Sequence, residues 1–157
     1  IGVSFGRMTC IERANQFPVR KLILISSIKT KKERPLWMNG TGKLNLHRLI
    51  RPRPHPMLYP IENFFLGAES KEDKQIANAF RKEVKPEYLQ WAIHQIVSWK
   101  NVTIPQNYIH IHGTRDRLFP IRNVKADYVI PKGGHFMVYN KADEISAIIN
   151  RELELMK

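Results

Sequence analysis

The order of apolar patterns along the chain predicts an α/β fold with a mainly parallel sheet. Three observations carry that expectation. Lys21 to Ser26 (Lys-Leu-Ile-Leu-Ile-Ser) is a short run apolar on both faces, as in a strand buried inside a parallel sheet. Tyr108 to His112 and Tyr128 to Ile130 are two further strand-like runs, closed by Gly113 and by Pro131 with Gly133-Gly134. Between and around them lie patterns of helical period.

Taken in order, Met8, Ile11, Ala14 and Phe17 recur at helical spacing until Pro18 stops them. The strand at 21–26 follows. From residue 28 to residue 104 no strand pattern is evident. Within that block Ile76, Ala77, Phe80 and Val84 share one helix face, and after Pro86 so do Leu89, Ala92, Ile93, Ile96 and Val97. After the strands at 108–112 and 128–130, a last helix is expected. Asn140 would cap it, Asp143 and Glu144 would occupy its first turn, and Ile145, Ile148, Ile149 and Leu153 would form its stripe.

Composition limits the function classes. The 157 residues are 43% apolar and 25% charged, which is globular, and no apolar run reaches the ~20 residues of a membrane-spanning helix. A single cysteine, Cys10, can form no internal disulfide, supplies no Cys-based zinc site and is expected to be packed. It fits a reducing compartment, and a cytoplasmic location is the expectation. The net charge is +12, and residues 28–56 hold more than half of it, through Lys29, Lys31, Lys32, Arg34, Lys43, Arg48, Arg51 and Arg53 against Glu33. No nucleic-acid-binding motif accompanies that stretch, so a solvated basic face is expected and no nucleic-acid partner. A basic module contacting anionic partners through 28–56 is the alternative.

The chemistry sits at three turns. Gly2-Val3-Ser4-Phe5-Gly6 fits G-x-S-x-G, a sharp strand-to-helix turn that strains its central serine. Glycine on either side removes a Cβ that would collide at such a turn. Ser4 Oγ would then project from the sheet edge, and the Phe5 N–H would face a developing oxyanion. A serine needs a base, and the base needs a carboxylate to orient it. His112-Gly113-Thr114-Arg115-Asp116 puts a carboxylate in the loop after one strand, and Gly133-Gly134-His135-Phe136 puts an imidazole after the next. Asp127 is a weaker alternative acid, and Asp143 is better explained by its helix start.

With these motifs in the order Ser4, Asp116, His135, the chain resembles the C-terminal part of an α/β-hydrolase fold protein, from the nucleophile elbow onward. Phe119-Pro120 behind the Asp116 loop belongs to the same resemblance. The likeness implies that Ser4 is the nucleophile, His135 the base and Asp116 the acid. It implies hydrolysis through an acyl-enzyme, of a small carboxylic ester or thioester, with no metal or organic cofactor. It also implies a core at 1–27 and 105–157 and a helical cap at 28–104. The chain opens on Ile1 rather than Met, so the expectation is a piece beginning inside a structural unit, without the strands that precede the elbow and without the second oxyanion donor. A catalytically incompetent fragment is therefore a further alternative.

Of the aromatic residues, Trp37, Phe64, Phe65, Trp91 and Phe136 are candidates for the acyl pocket, most of the others being expected to pack the cap. Arg7 would either bind an acidic substrate group or point to solvent. His110 and His112, two apart on a strand, face one side; structural histidines are expected there rather than metal ligands.

Overall fold

A computed structural model describes residues 1–43 and 55–156. Four parallel strands in the order β1-β2-β3-β4 form one sheet: Gly2–Val3, Leu22–Ile25, Tyr108–Gly113 and Tyr128–Ile130. All four residues of β2 are buried, because the strand lies between β1 and β3 and is covered on both faces. Leu22 and Leu24 pack with Met8, Ile11, Trp99 and Phe119, while Ile23 and Ile25 pack with Ile109, Ile111, Met137 and Ile145. Period-two alternation thus feeds two cores from one strand. Each of these aliphatic side chains contributes about 1.5–3 kcal/mol by leaving water.

Helix α1 (Gly6–Gln16) leaves β1 through Ser4 and lies against β1 and β2, with Met8 and Ile11 buried. Helices α2 (Leu36–Lys43), α3 (Tyr59–Leu66), α4 (Lys71–Glu83) and α5 (Pro86–Ser98) connect β2 to β3, and among the described residues no strand interrupts them. Helix α4 opens with a reciprocal capping box between Ser70 and Asp73. Its expected stripe is only half met: Ala77 is buried, but Phe80 is exposed and turns its ring edge to Phe136. The sequence patterns did not announce α2 or α3.

The C-terminal helix departs from expectation at its start. Asn140 ends a separate short helix, α6 (Met137–Asn140), and Lys141 is the residue before α7 (Ala142–Glu154). The Lys141 N–H already bonds the Met137 carbonyl at 2.8 Å, so the chain arrives at α7 wound rather than extended. Asp143 and Glu144 do occupy the first turn, and Ile145 is buried, but Leu153 is exposed. Among the described residues no helix is long and apolar enough to cross a membrane.

The expectation of a solvated basic face at 28–56 is corrected at two residues. Lys29 and Arg34 are buried. Lys29 Nζ pairs with Glu33 at 2.8 Å and also bonds the Lys125 carbonyl and His110 Nδ1. Arg34 Nη1 caps the Ile96 and Val97 carbonyls at the end of α5, where a helix leaves acceptors without partners. Arg48, Arg51 and Arg53 lie outside the described residues.

Candidate active site

Ser4, Asp116 and His135 all follow the C-terminal ends of strands, the end at which open parallel sheets place their ligands. Ser4 directly follows β1 with φ of 45°, in the left-handed region that non-glycine residues rarely occupy. Its N–H bonds the Ile25 carbonyl at 3.0 Å, which ties the strained turn to β2. The flanking glycines are not equivalent. A Cβ on Gly2 would lie 2.6 Å from Arg7 Cα, so only glycine permits α1 to return that close. At Gly6 a Cβ meets nothing within 4 Å, contrary to the sequence expectation, because that position faces outward at the helix start.

The loops after β3 and β4 come together through a second close approach. A Cβ on Gly113 would fall 2.2 Å from the Gly133 carbonyl oxygen, and Arg115 N–H bonds that same oxygen at 2.8 Å. This packing delivers His135 to Asp116. His135 Nδ1 stands 2.9 Å from Asp116 Oδ2, and His135 Nε2 stands 2.8 Å from Ser4 Oγ. Asp116 Oδ1 accepts from the Leu118 and Phe119 N–H groups at 2.9 and 2.8 Å, which fixes the carboxylate plane. Asp116 and His135 are buried, whereas Ser4 is half-buried. A carboxylate at Nδ1 accepts a hydrogen bond from the Nδ1–H and leaves Nε2 to accept from the serine hydroxyl.

His112 packs beneath this group. Its Nε2 donates to the Phe119 carbonyl at 2.8 Å and lies 3.6 Å from Asp116 Oδ2. Burial pushes its pKa down, with Asp116 opposing. His110 occupies the same side of β3, its ring 5.1 Å from that of His112. Asp127, the alternative acid, accepts from the His110 N–H at 2.8 Å and thereby fastens β3 to the segment before β4. Cys10 is half-buried on α1, with Sγ 3.4 Å from the Ile1 carbonyl oxygen.

Ser4 and His135 open into a cavity of about 510 Å³. Its walls come from α2 and α5, with Leu66, Val84 and Leu118 completing them, and among the described residues no Asp, Glu, Lys or Arg lines it. Trp37 and Phe5 line it. Phe64, Phe65, Trp91 and Phe136 do not. Phe64 lies under the Arg117 guanidinium and edge-on to Phe65; Trp91 meets the Phe5 ring edge-on, and Phe136 packs against Phe80 and Tyr139. Lining residues that the sequence did not single out as pocket candidates include Tyr88, Leu89, Ile93 and Ile96 on α5 and Met38 on α2. The helical recurrence of Leu89, Ile93 and Ile96 marked the face but not what it faced.

No family model and no curated protein sequence matches the chain. Solved structures do. It is similar to a thermophilic esterase from Thermogutta terrifontis at TM-score 0.73 and 15% identity, covering 99% of this chain and 64% of that one. A meta-cleavage product hydrolase from Pseudomonas fluorescens gives 0.64 and 13%, with 99% and 64% covered. A 2-hydroxy-6-oxo-6-phenylhexa-2,4-dienoate hydrolase from Rhodococcus gives 0.61 and 14%, with 98% and 62% covered. This chain spans less than two thirds of the length of each. Its four parallel strands and flanking helices are therefore an α/β-hydrolase fold, partial relative to the solved chains it matches.

Proposed function

We propose that the whole protein is a serine hydrolase that cleaves a small carboxylic ester or thioester with an uncharged, apolar acyl group. The observation that carries this reading is the continuous line from Ser4 Oγ through His135 to Asp116, at 2.8 and 2.9 Å, at the mouth of an apolar cavity. Ser4 Oγ attacks the carbonyl carbon while His135 Nε2 takes its proton. Collapse of the tetrahedral intermediate expels the alcohol or thiol, which receives that proton from His135. Water then attacks the acyl-enzyme with His135 again as base. Asp116 holds the imidazole in its Nδ1–H form and stabilises its charged form. The Phe5 N–H, at the start of α1 where donors lack intrahelical partners, faces the oxyanion. The 28–104 block acts as a cap whose α2 and α5 enclose the acyl group.

Two of the similar structures are, by name, a meta-cleavage product hydrolase and a dienoate hydrolase. The described lining is almost wholly aliphatic and aromatic, which suits the apolar acyl group of a neutral ester. Steady-state hydrolysis of neutral p-nitrophenyl acyl esters by the whole protein tests the reading. Turnover is expected, with Ser4→Ala reducing kcat by about 10⁴-fold or more while the fold is kept. Wild-type turnover in Ser4→Ala would overturn it.

A further inference from the structure

Arg7 contradicts both sequence expectations for it: it neither meets solvent nor lines the cavity. It is fully buried in the first turn of α1. Its Nη1 donates to the Ser4 carbonyl oxygen at 3.0 Å, and Nε and Nη2 have no partner among the described residues. The guanidinium instead lies over two rings, Trp99 at 5.1 Å and Phe119 at 5.2 Å. Burial lowers its pKa to about 9, with Glu33 opposing, so it remains a cation near neutral pH. A buried guanidinium with one hydrogen bond is unusual, since unpaired buried donors each cost about 1–3 kcal/mol.

The position of that one bond is informative. The Ser4 carbonyl and the Phe5 N–H belong to the same peptide plane. A cation bonded to the carbonyl withdraws electron density through the amide and makes its N–H a stronger donor. It also fixes the plane's orientation beside a serine whose φ is strained. Phe119 links the same guanidinium to the rest of the site: its N–H binds Asp116, and its ring lies 5.4 Å from the His135 ring.

We infer that Arg7 is a positioning residue: through the Ser4 carbonyl it orients and polarises the Ser4–Phe5 peptide, strengthening the Phe5 N–H as the oxyanion donor. This rests on the proposed role of Ser4. An Arg7 that only filled space would be replaced by methionine without kinetic consequence, because exchanging a buried charge for an apolar side chain is often neutral or stabilising.

The test compares Arg7→Met and Arg7→Lys in the whole protein, with far-UV circular dichroism to establish folding. For Arg7→Met, kcat on a neutral p-nitrophenyl ester is expected to fall by about tenfold with KM unchanged. That is less than the 10²–10³ of removing an oxyanion donor outright. Inhibition by a boronic acid, whose tetrahedral adduct mimics the intermediate, should weaken in parallel with kcat/KM. Arg7→Lys, which keeps a cation and a donor, should recover most of kcat. Wild-type kcat in a folded Arg7→Met overturns the inference, as does Arg7→Lys no better than Arg7→Met. Loss of fold in both variants makes Arg7 a requirement of the fold alone and also overturns it. Failure of the underlying reading is distinguishable: turnover would then survive in Ser4→Ala, whatever Arg7 does.

Discussion

Ser4 follows β1 and Ser27 follows the neighbouring β2, each meets a histidine, and the two pairs are built in opposite senses. In one, Ser4 Oγ is 2.8 Å from His135 Nε2, and the far ring nitrogen meets Asp116. In the other, Ser27 Oγ is 3.5 Å from His110 Nε2, and the far nitrogen meets Lys29 Nζ at 3.1 Å. An ammonium has only donors, so His110 Nδ1 must accept and its proton sits on Nε2, pointing at the serine. Burial, reinforced by Lys29, drives the His110 pKa down to about 2. That imidazole takes no proton at neutral pH. Ser27 is also sealed from solvent, whereas Ser4 opens on the cavity. The third residue, carboxylate or ammonium, sets the tautomer and so decides which pair can do base chemistry.

The sharpest way to break the distinction is Asp116→Asn. The two backbone bonds on Oδ1 would retain the side-chain plane, so the new amide nitrogen would face His135 Nδ1. His135 would then carry its proton on Nε2, the state His110 already has. A loss in kcat of about 10⁴ with unchanged melting temperature is expected from ester kinetics and thermal denaturation.

Lys29→Met probes the other pair. It removes the partner of Glu33 and two further bonds without touching the cavity, so stability should fall by about 3 kcal/mol in chemical denaturation. The kcat per folded molecule should stay within about twofold. A catalytic collapse with stability intact would mean that the Lys29 cluster takes part in the chemistry.

Smaller effects separate the two elbow glycines. Gly2→Ala places a methyl against the α1 backbone and should cost about 1–3 kcal/mol. Gly6→Ala meets nothing and should change stability by no more than about 1 kcal/mol, favourably if α1 gains helix propensity. Equal penalties, measured by denaturant titration, would remove the asymmetry.

What the sequence disclosed follows the same physical lines. Ser4, Asp116 and His135 were legible because tight turns demand glycine, and Gly2, Gly113 and Gly133 mark the places where backbones nearly touch. Strand β2 was legible because a strand covered on both faces shows no polar alternation. Helix α2 was not, since Gly40 and Gly42 weaken its local preference and tertiary contacts with α5 hold it. The cavity wall was half legible: periodicity marked the α5 face, but docking decides what a face encloses. Charge misled most. Arg7, Lys29 and Arg34 are residue types that normally stay in water, and each is buried here against carbonyls, rings or a carboxylate.

The most direct test of the contrast is to treat the native whole protein with a fluorophosphonate and locate the adduct by peptide mass spectrometry. Such reagents need an activated serine rather than an exposed one. An adduct is expected on Ser4, none on Ser27, and none on either after heat denaturation. A folded protein that leaves Ser4 unmodified, or that carries the adduct on Ser27, would contradict the contrast.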